Sequence, residues 1–336
     1  MMDVLADTLG FLAKALVVFV TFAACVAVIF SRARGLRYGR IEGFLQVRKL
    51  NERMRALADA LRGAMLPARE HRKLLKAAAK TPPPSAPRPR VFVLDFKGDI
   101  MASAVESLRQ EVTAVLAVAG ASDEVVVRIE SPGGTPHGYG LAASQLARLR
   151  QKGLKVTACV DRIAASGGYM MACVSDQILT APFAILGSIG VAAPLPNVHR
   201  LLERHGVDYE EITAGEYKRT VSVLGKITDK GRQKFQEQVD DMHRLFKDFV
   251  KEQRPTLDID AVATGEHWHG KRAAELGLAN VVMTSDDYLM SKLEACDIYQ
   301  VSFERPRSMR DRMALTVSLA AERFAEALWA RFGTPS

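Results

Sequence analysis

Between residues 91 and 181 the chain alternates short apolar runs with longer amphipathic stretches. Strands are predicted at 91–96, 124–130, 155–160 and 177–181, and helices at 103–119, 138–151 and 166–174. Apolar strands interleaved with such helices are typical of α/β units around a mainly parallel sheet. A long charged helix is predicted at 228–253, and a helix, a glycine cap and a closing strand are predicted at 271–282. The main domain is therefore expected to be α/β.

An apolar run of 22 residues at 9–30, LGFLAKALVVFVTFAACVAVIF, precedes this domain. As a helix it is long enough to cross about 30 Å of hydrocarbon. A cleaved signal peptide would start with basic residues and end in a small-residue cleavage site, whereas Asp3 and Asp7 precede this run. A globular helix of this length would show a polar face. The run predicts a retained single-pass membrane anchor behind a short tail at 1–8.

The positive charge is concentrated next to the predicted anchor. The chain has a net charge of +8, and residues 32–90 hold 16 lysines and arginines against 4 acidic residues. A basic segment beside a membrane span usually contacts anionic lipid headgroups or marks the cytoplasmic side. Nucleic-acid binding would need aromatic or motif support that the sequence lacks, so no nucleic-acid partner is expected.

Two segments are predicted between the anchor and the main domain. The first, 31–80, is basic and carries apolar residues in amphipathic helical spacing, which suits a bilayer surface, a partner helix or the main domain itself. These apolar residues are Leu50, Met54, Leu57, Leu61 and Met65. The second segment, TPPPSAPRPR at 81–90, predicts a stiff linker. The main domain is assigned to 91–285, and the C-terminal extension at 286–336 is expected to contain an amphipathic helix at 310–332.

Two glycine-bearing turns follow neighbouring strands of the predicted sheet. They are ESPGGTPHG at 130–138 and DRIAASGGYM at 161–170. Ser166 starts a helix directly after a strand, which exposes its hydroxyl beside the unpaired N–H groups of a helix N-terminus. Glycine lets a substrate carbonyl approach the backbone, so Gly133, Gly134 and Gly167 can donate N–H groups to an oxyanion. Glycines chosen only for turn geometry are the alternative for either turn alone.

A serine nucleophile needs a base, and residue spacing alone does not choose one. Among the seven histidines, His137 lies closest to a glycine turn, and the others occupy helical or surface-like sequence. HWH at 267–269 lacks the ligand spacing of a metal site, and the four cysteines show no CxxC pair. Lysine also activates serine when burial lowers its pKa. The chain has too many lysines for spacing to select one.

Four motifs follow one another in the main domain: SPGG at 131–134, DRIAASGGY at 161–169, GSIGV at 187–191 and AGEYKR at 214–219. Together they resemble the serine–lysine peptidases of the signal peptide peptidase A family over roughly residues 90–285. The anchor, the length and DFKGDI at 95–100 are most similar to the SohB branch of that family. The resemblance implies a serine-type endopeptidase with a ClpP/crotonase-like spiral of ββα units and with no metal or cofactor.

The resemblance also implies roles for individual residues. Ser166 becomes the nucleophile and Lys218 the general base, and Ser188 helps to hold the lysine. The backbone N–H groups of Gly134 and Gly167 become the oxyanion hole. The family forms rings in which serine and lysine can come from neighbouring subunits, so a homo-oligomer is expected.

The expected function is hydrolysis of extended apolar peptides, such as signal-peptide remnants or membrane-protein segments, at a bacterial-type inner membrane. The charge pattern predicts a cytoplasmic peptidase domain, whereas better-known family members work on the periplasmic face. Tyr169 and Met170 are expected to pack beside the nucleophile. Two alternatives stay open. One is a membrane-tethered scaffold or regulatory subunit with little activity, and the other is a crotonase-like acyl-CoA enzyme that would need neither Ser166 nor Lys218.

Overall fold

The computed structural model describes residues 43–80 and 88–305. Nearly all of these residues belong to one compact unit, Leu45–Glu304.

Several sequence predictions fall wholly or partly outside the described residues: the tail at 1–8, the membrane anchor at 9–30, the start of the basic segment at 31–80, most of the linker at 81–90, and the C-terminal helix at 310–332. Within 43–80 and 88–305, no helix combines the length and the apolar character that crossing a membrane requires.

The described part of the chain contains short strands and helices in alternation. Its strands are β1 (Phe44–Lys49), β2 (Arg90–Lys97), β3 (Glu124–Glu130), β4 (Lys155–Val160), β5 (Ile163–Ala165), β6 (Gln177–Thr180), β7 (Ile185–Gly187), β8 (His267–His269), β9 (Val281–Val282) and β10 (Asp297–Glu304). Its helices are α1 (Leu50–Met65), α2 (Ala68–Lys80), α3 (Val105–Val118), α4 (Pro136–Gln151), α5 (Gly167–Ala172), α6 (His199–Arg204), α7 (Asp229–Gln253), α8 (Ile259–Val262), α9 (Gly270–Glu275) and α10 (Ser285–Lys292).

The strands form two sheets. The larger has the order β1-β10-β2-β3-β4-β6-β9, and its strands from β10 to β9 run parallel. The smaller has the order β5-β7-β8, with β5 parallel and β8 antiparallel to β7. The predicted mixed α/β fold with a mainly parallel sheet is confirmed.

Both faces of the large sheet are buried, which explains the nearly continuous apolar runs of its strands. Alternate side chains such as Leu94 and Val127 pack beneath α3 and α4. The intervening residues, such as Val93 and Val126, face α1 and α10. Asn51 ties α1 to this second face, since its amide donates to the carbonyls of Leu293 and Cys296 and its oxygen accepts the N–H of Ile298.

The sequence pattern placed the long elements well and missed several short ones. β3 and β4 coincide with the predicted strands, and α7 begins one residue later than predicted. The three strands of the small sheet were not predicted, because three residues are too few to show a period. β10 lies within the expected C-terminal extension at 286–336 but pairs with β2, so the sheet continues to Glu304.

Candidate active site

The two glycine turns lie side by side at the carboxyl ends of β3 and β5. Ser131 follows β3 and forms a parallel bridge with Ala164 in β5. Its N–H donates to Ile163 O at 2.8 Å, and its carbonyl accepts the N–H of Ala165 at 3.0 Å. The second turn therefore follows the short strand β5, whereas the sequence suggested that it follows β4 directly. The small sheet thus fixes Ser166 against the first turn.

Ser166 has a backbone conformation that side chains rarely adopt. Its φ is 51° and its ψ is −117°, outside the regions that residues with a Cβ normally occupy. The N–H of Ser166 donates to Gly187 O at 2.8 Å, and its carbonyl accepts the N–H of Met170 at 2.9 Å. A serine held this way at a strand-to-helix turn is typical of a nucleophile whose hydroxyl must stand clear of the backbone.

The glycines around Ser166 are required by close backbone contacts. Gly133 has a φ of 95°, and a Cβ there would lie 2.6 Å from Ser166 Cβ. At Gly134, a Cβ would overlap the carbonyl group of Ile100. At Gly167, it would overlap the ring of Tyr139. The two turns are therefore packed too tightly for any other residue at these positions.

Two backbone N–H groups beside Ser166 are left available. The N–H of Gly133 donates to Ser131 Oγ at 3.1 Å. Among the described residues, by contrast, no acceptor bonds the N–H of Gly134 or that of Gly167. The arrangement can therefore present two donors from two turns to a developing negative charge.

A cleft of about 900 Å³ opens over these turns. Its walls carry Ser166, Ser188, Gly134 and Gly167, all of which the sequence singled out. Apolar side chains supply much of the remaining wall, including Ile100, Met170, Val191, Met242 and Phe246. The cleft thus suits an extended apolar ligand with a few backbone hydrogen bonds.

Ser188 directly follows β7 and is one of the residues that line the cleft. It also has a positive φ, 52°, and its N–H donates to Glu266 O at 2.6 Å. Tyr169 is fully buried and its hydroxyl donates to Leu278 O at 3.1 Å, so it belongs to the core, whereas Met170 lines the cleft.

Lys218 is not part of this cleft. It lies on an exposed segment that we call the arm, residues 192–228, in which no side chain is buried. The backbone N–H of Lys218 donates to Gly215 O at 3.1 Å, and the cleft lining does not include Lys218. A single chain therefore brings Ser166, Ser188 and the two glycines together and leaves Lys218 apart from them.

Sequence reasoning missed one cleft residue with a chemically active side chain. His243 in α7 is the single ionisable residue among those that line the cleft, and its Nε2 atom is buried without a hydrogen-bond partner in the described part of the chain. Its position in a charged helix gave no signal for this, because only the packing of α7 turns it toward the cleft. His137, the histidine closest to a turn in sequence, is exposed and lies outside the cleft lining.

Comparisons with known proteins relate the chain to a peptidase family. Residues 148–298 match peptidase family S49, and residues 3–146 match the N-terminal region of peptidase family S49. The probable protease SohB of Haemophilus influenzae is 56% identical over 219 residues, which cover 65% of this chain and 62% of that protein. The probable protease SohB of Buchnera aphidicola subsp. Acyrthosiphon pisum is 51% identical over 229 residues, 68% of either chain.

A structural comparison gives a weaker likeness. The structure of a membrane-bound stomatin-specific protease mutant in complex with a substrate peptide has a TM-score of 0.43 and 14% identity, and it covers 68% of this chain and 98% of that one. A likeness of this strength bears on neither fold nor function.

Proposed function

Because this chain belongs to peptidase family S49, we propose that it is a membrane-anchored serine endopeptidase with Ser166 as nucleophile and Lys218 as general base. The observation that carries the proposal is the conformation of Ser166, which is held at a strained turn beside the N–H groups of Gly134 and Gly167, for which residues 43–80 and 88–305 provide no acceptor. Strain of this kind persists only where the surrounding structure enforces it, and it is concentrated at functional sites.

The proposed reaction uses these groups in sequence. Neutral Lys218 takes the proton of Ser166 Oγ, and the oxygen attacks a peptide carbonyl while Gly134 and Gly167 bind the resulting oxyanion. The protonated lysine then gives its proton to the departing amine, which breaks the peptide bond and leaves an acyl-enzyme. Water activated by the same lysine releases the acyl group.

The exposed arm supports completion of the dyad between subunits. A lysine works as a general base once burial favours its neutral form. Lys218 is exposed in a single chain, and so are apolar arm residues such as Leu201, Tyr209 and Ile212. A neighbouring copy in a homo-oligomeric ring would bury these side chains and place Lys218 at the cleft of the next subunit, where Ser188 would help to hold it.

The surface chemistry of α1 and α2 supports attachment to a bilayer. Leu57, Leu61 and Met65 recur one turn apart on α1 and are exposed. Residues 50–80 also carry 8 basic against 3 acidic residues, which suits an anionic lipid surface. With the apolar run at 9–30, this supports a single-pass protein of a bacterial-type inner membrane, with the peptidase domain on the cytoplasmic side by its charge pattern.

The cleft also supports a proposal for the substrate class. Its apolar walls and backbone donors suit extended apolar peptides, such as signal-peptide remnants or segments of membrane proteins.

A fluorophosphonate probe tests the dyad on the full chain in detergent. We expect the wild type to be labelled and Ser166→Ala to lose labelling and peptide hydrolysis by roughly 10⁴-fold or more. Lys218→Ala should lose both as well, since the serine is then not activated. Labelling that survives in Lys218→Ala would assign the base elsewhere, and an unlabelled wild type would favour the scaffold alternative.

Mixing the two inactive variants tests completion between subunits. Chains with Ser166→Ala still provide Lys218, and chains with Lys218→Ala still provide Ser166. We expect co-expression to restore part of the activity, whereas a dyad within one chain would stay inactive. A reporter fused after Ser336 decides the membrane side, because it is active on one side only.

A further inference from the structure

Tyr139 is a fully buried tyrosine that lies directly beneath both glycine turns. It is the fourth residue of α4, and the proposed reaction gives it no role. Burial raises the pKa of its hydroxyl, and the nearby charge of Asp99 raises it further, so the group stays protonated and keeps its proton to donate.

The hydroxyl of Tyr139 closes a directed chain of hydrogen bonds. It donates to the carbonyl of Asp99 at 2.8 Å. It lies 2.5 Å from Ser131 Oγ, and because its one proton is already used, Ser131 must be the donor in that bond. Ser131 Oγ in turn accepts the N–H of Gly133 at 3.1 Å. This series of hydrogen bonds therefore connects the SPGG turn, through the hydroxyls of Ser131 and Tyr139, to the backbone of residues 98–99. Each hydrogen bond in such a series polarises and strengthens the next.

The ring of Tyr139 contacts the other turn. A Cβ at Gly167 would overlap this ring, so the backbone of Gly167 rests directly on it. A Cβ at Gly98 would overlap both the Tyr139 hydroxyl and Ser131 Oγ, so the backbone of Gly98 also packs directly against these two hydroxyls. The edge of the ring meets Phe96, with centroids 6.1 Å apart and the planes at 72°, which fixes it from below.

We infer that Tyr139 is a positioning residue for the oxyanion hole, because one side chain holds the turn that carries Gly134 and supports the backbone of Gly167. It therefore sets the separation between the two N–H donors. Oxyanion donors act at 2.7–3.1 Å, and the loss of one typically costs roughly 10²- to 10³-fold in kcat. This inference rests on the proposed peptidase function.

The test is Tyr139→Phe, which keeps the ring against Gly167 and removes the hydroxyl. Ser131 Oγ then has no acceptor, and the SPGG turn can shift. We expect kcat on a peptide substrate to fall roughly 10- to 100-fold with KM changed less than about threefold, because the oxyanion forms only in the transition state. Ser131→Ala interrupts the same series of hydrogen bonds, so it should also lower kcat with little change in KM.

Tyr169→Phe is the matched control. Tyr169 is equally buried, and its hydroxyl also donates to a backbone carbonyl, that of Leu278 at 3.1 Å. Both variants should lower Tm to a similar extent, so a purely structural role predicts equal kcat values. A kcat of Tyr139→Phe within threefold of the wild type, or equal to that of Tyr169→Phe, would overturn the inference.

Hydrogen exchange separates this inference from the proposed function, because it needs no activity. In Tyr139→Phe the hydrogen-bonded amides of Ser131 and Gly133 should exchange at least about tenfold faster than in the wild type, and in Tyr169→Phe they should not. Unchanged exchange in Tyr139→Phe rejects the positioning role even if the enzyme is active. Faster exchange in a protein that no fluorophosphonate probe labels would retain the positioning role and reject the peptidase.

Discussion

The two members of the proposed dyad lie in opposite surroundings. Ser166 is held by β5, β7 and the SPGG turn, with its N–H bonded to Gly187 O and a glycine packed against its Cβ. Lys218 is exposed on the arm, where no side chain is buried. The chain therefore holds the proposed nucleophile and the proposed oxyanion donors on its own core, and it leaves the proposed base on an exposed segment.

The difference has a physical origin in what each region buries. The cleft turns lie over a continuous core, so their unusual backbone angles are enforced from several sides. The arm makes polar contacts such as Asn197 Nδ2 to Ser222 O at 2.8 Å, but none of its apolar side chains is buried. Segments with few buried contacts are the ones that open first and reorganise on binding.

The first prediction concerns the rigid side of this comparison and has the largest expected effect. Gly134→Ala places a methyl group on the carbonyl of Ile100, so the turn must move and take its N–H donor with it. We expect kcat to fall roughly 10²- to 10³-fold, the usual cost of one lost oxyanion donor. Gly140→Ala in α4 is the control, because a Cβ there meets nothing within 4 Å. Equal activities in the two variants would show that the SPGG turn tolerates displacement.

The second prediction tests whether the core itself tolerates charge. Glu111 in α3 is 5% exposed and accepts the N–H of Phe303 at 2.8 Å. Burial, with a smaller contribution from the charge of Asp95, raises the pKa of its carboxyl from 4.5 to about 7. The native state then holds a proton that the unfolded chain loses, so this group's contribution to stability falls as pH rises from about 4.5 to about 7.

Glu111→Gln keeps the acceptor for Phe303 and removes the charge. We expect little change in the free energy of unfolding below pH 4.5, and a gain that rises to about 3 kcal/mol at pH 8. Denaturant unfolding at both pH values measures it. Glu106→Gln is the control on the same helix, because Glu106 pairs with Arg109 on the surface. An equal gain in the free energy of unfolding at both pH values would contradict the interpretation that the ionised carboxylate of Glu111 destabilises the core.

Sequence alone predicted the part of the site that local patterns determine. The glycines of SPGG and SGG and the strand before the first turn are local features, and the structure places Ser166, Gly134, Gly167 and Ser188 in one cleft. The small sheet was missed because its pairings join residues far apart in sequence, as in β7 with β8. His243 and Tyr139 were missed for a related reason, since their significance depends on which helix packs over which turn.

The third prediction addresses the exposed side of the comparison and has the smallest expected effect. Ile212 is 92% exposed in the arm, so Ile212→Asp should leave the free energy of unfolding of the single chain within about 0.5 kcal/mol. If a neighbouring copy covers the arm, the same change introduces a charge into that interface and weakens it. We expect labelling of Ser166 by a fluorophosphonate to fall about tenfold in dilute protein and to recover as the concentration rises, with sedimentation reporting the shift toward smaller assemblies.

Met290→Asp is the control, because Met290 is exposed on α10, outside the arm. Labelling of Ile212→Asp that does not depend on concentration would mean that Lys218 reaches Ser166 within its own chain. The difference in burial between Ser166 and Lys218 would then say nothing about contacts between subunits.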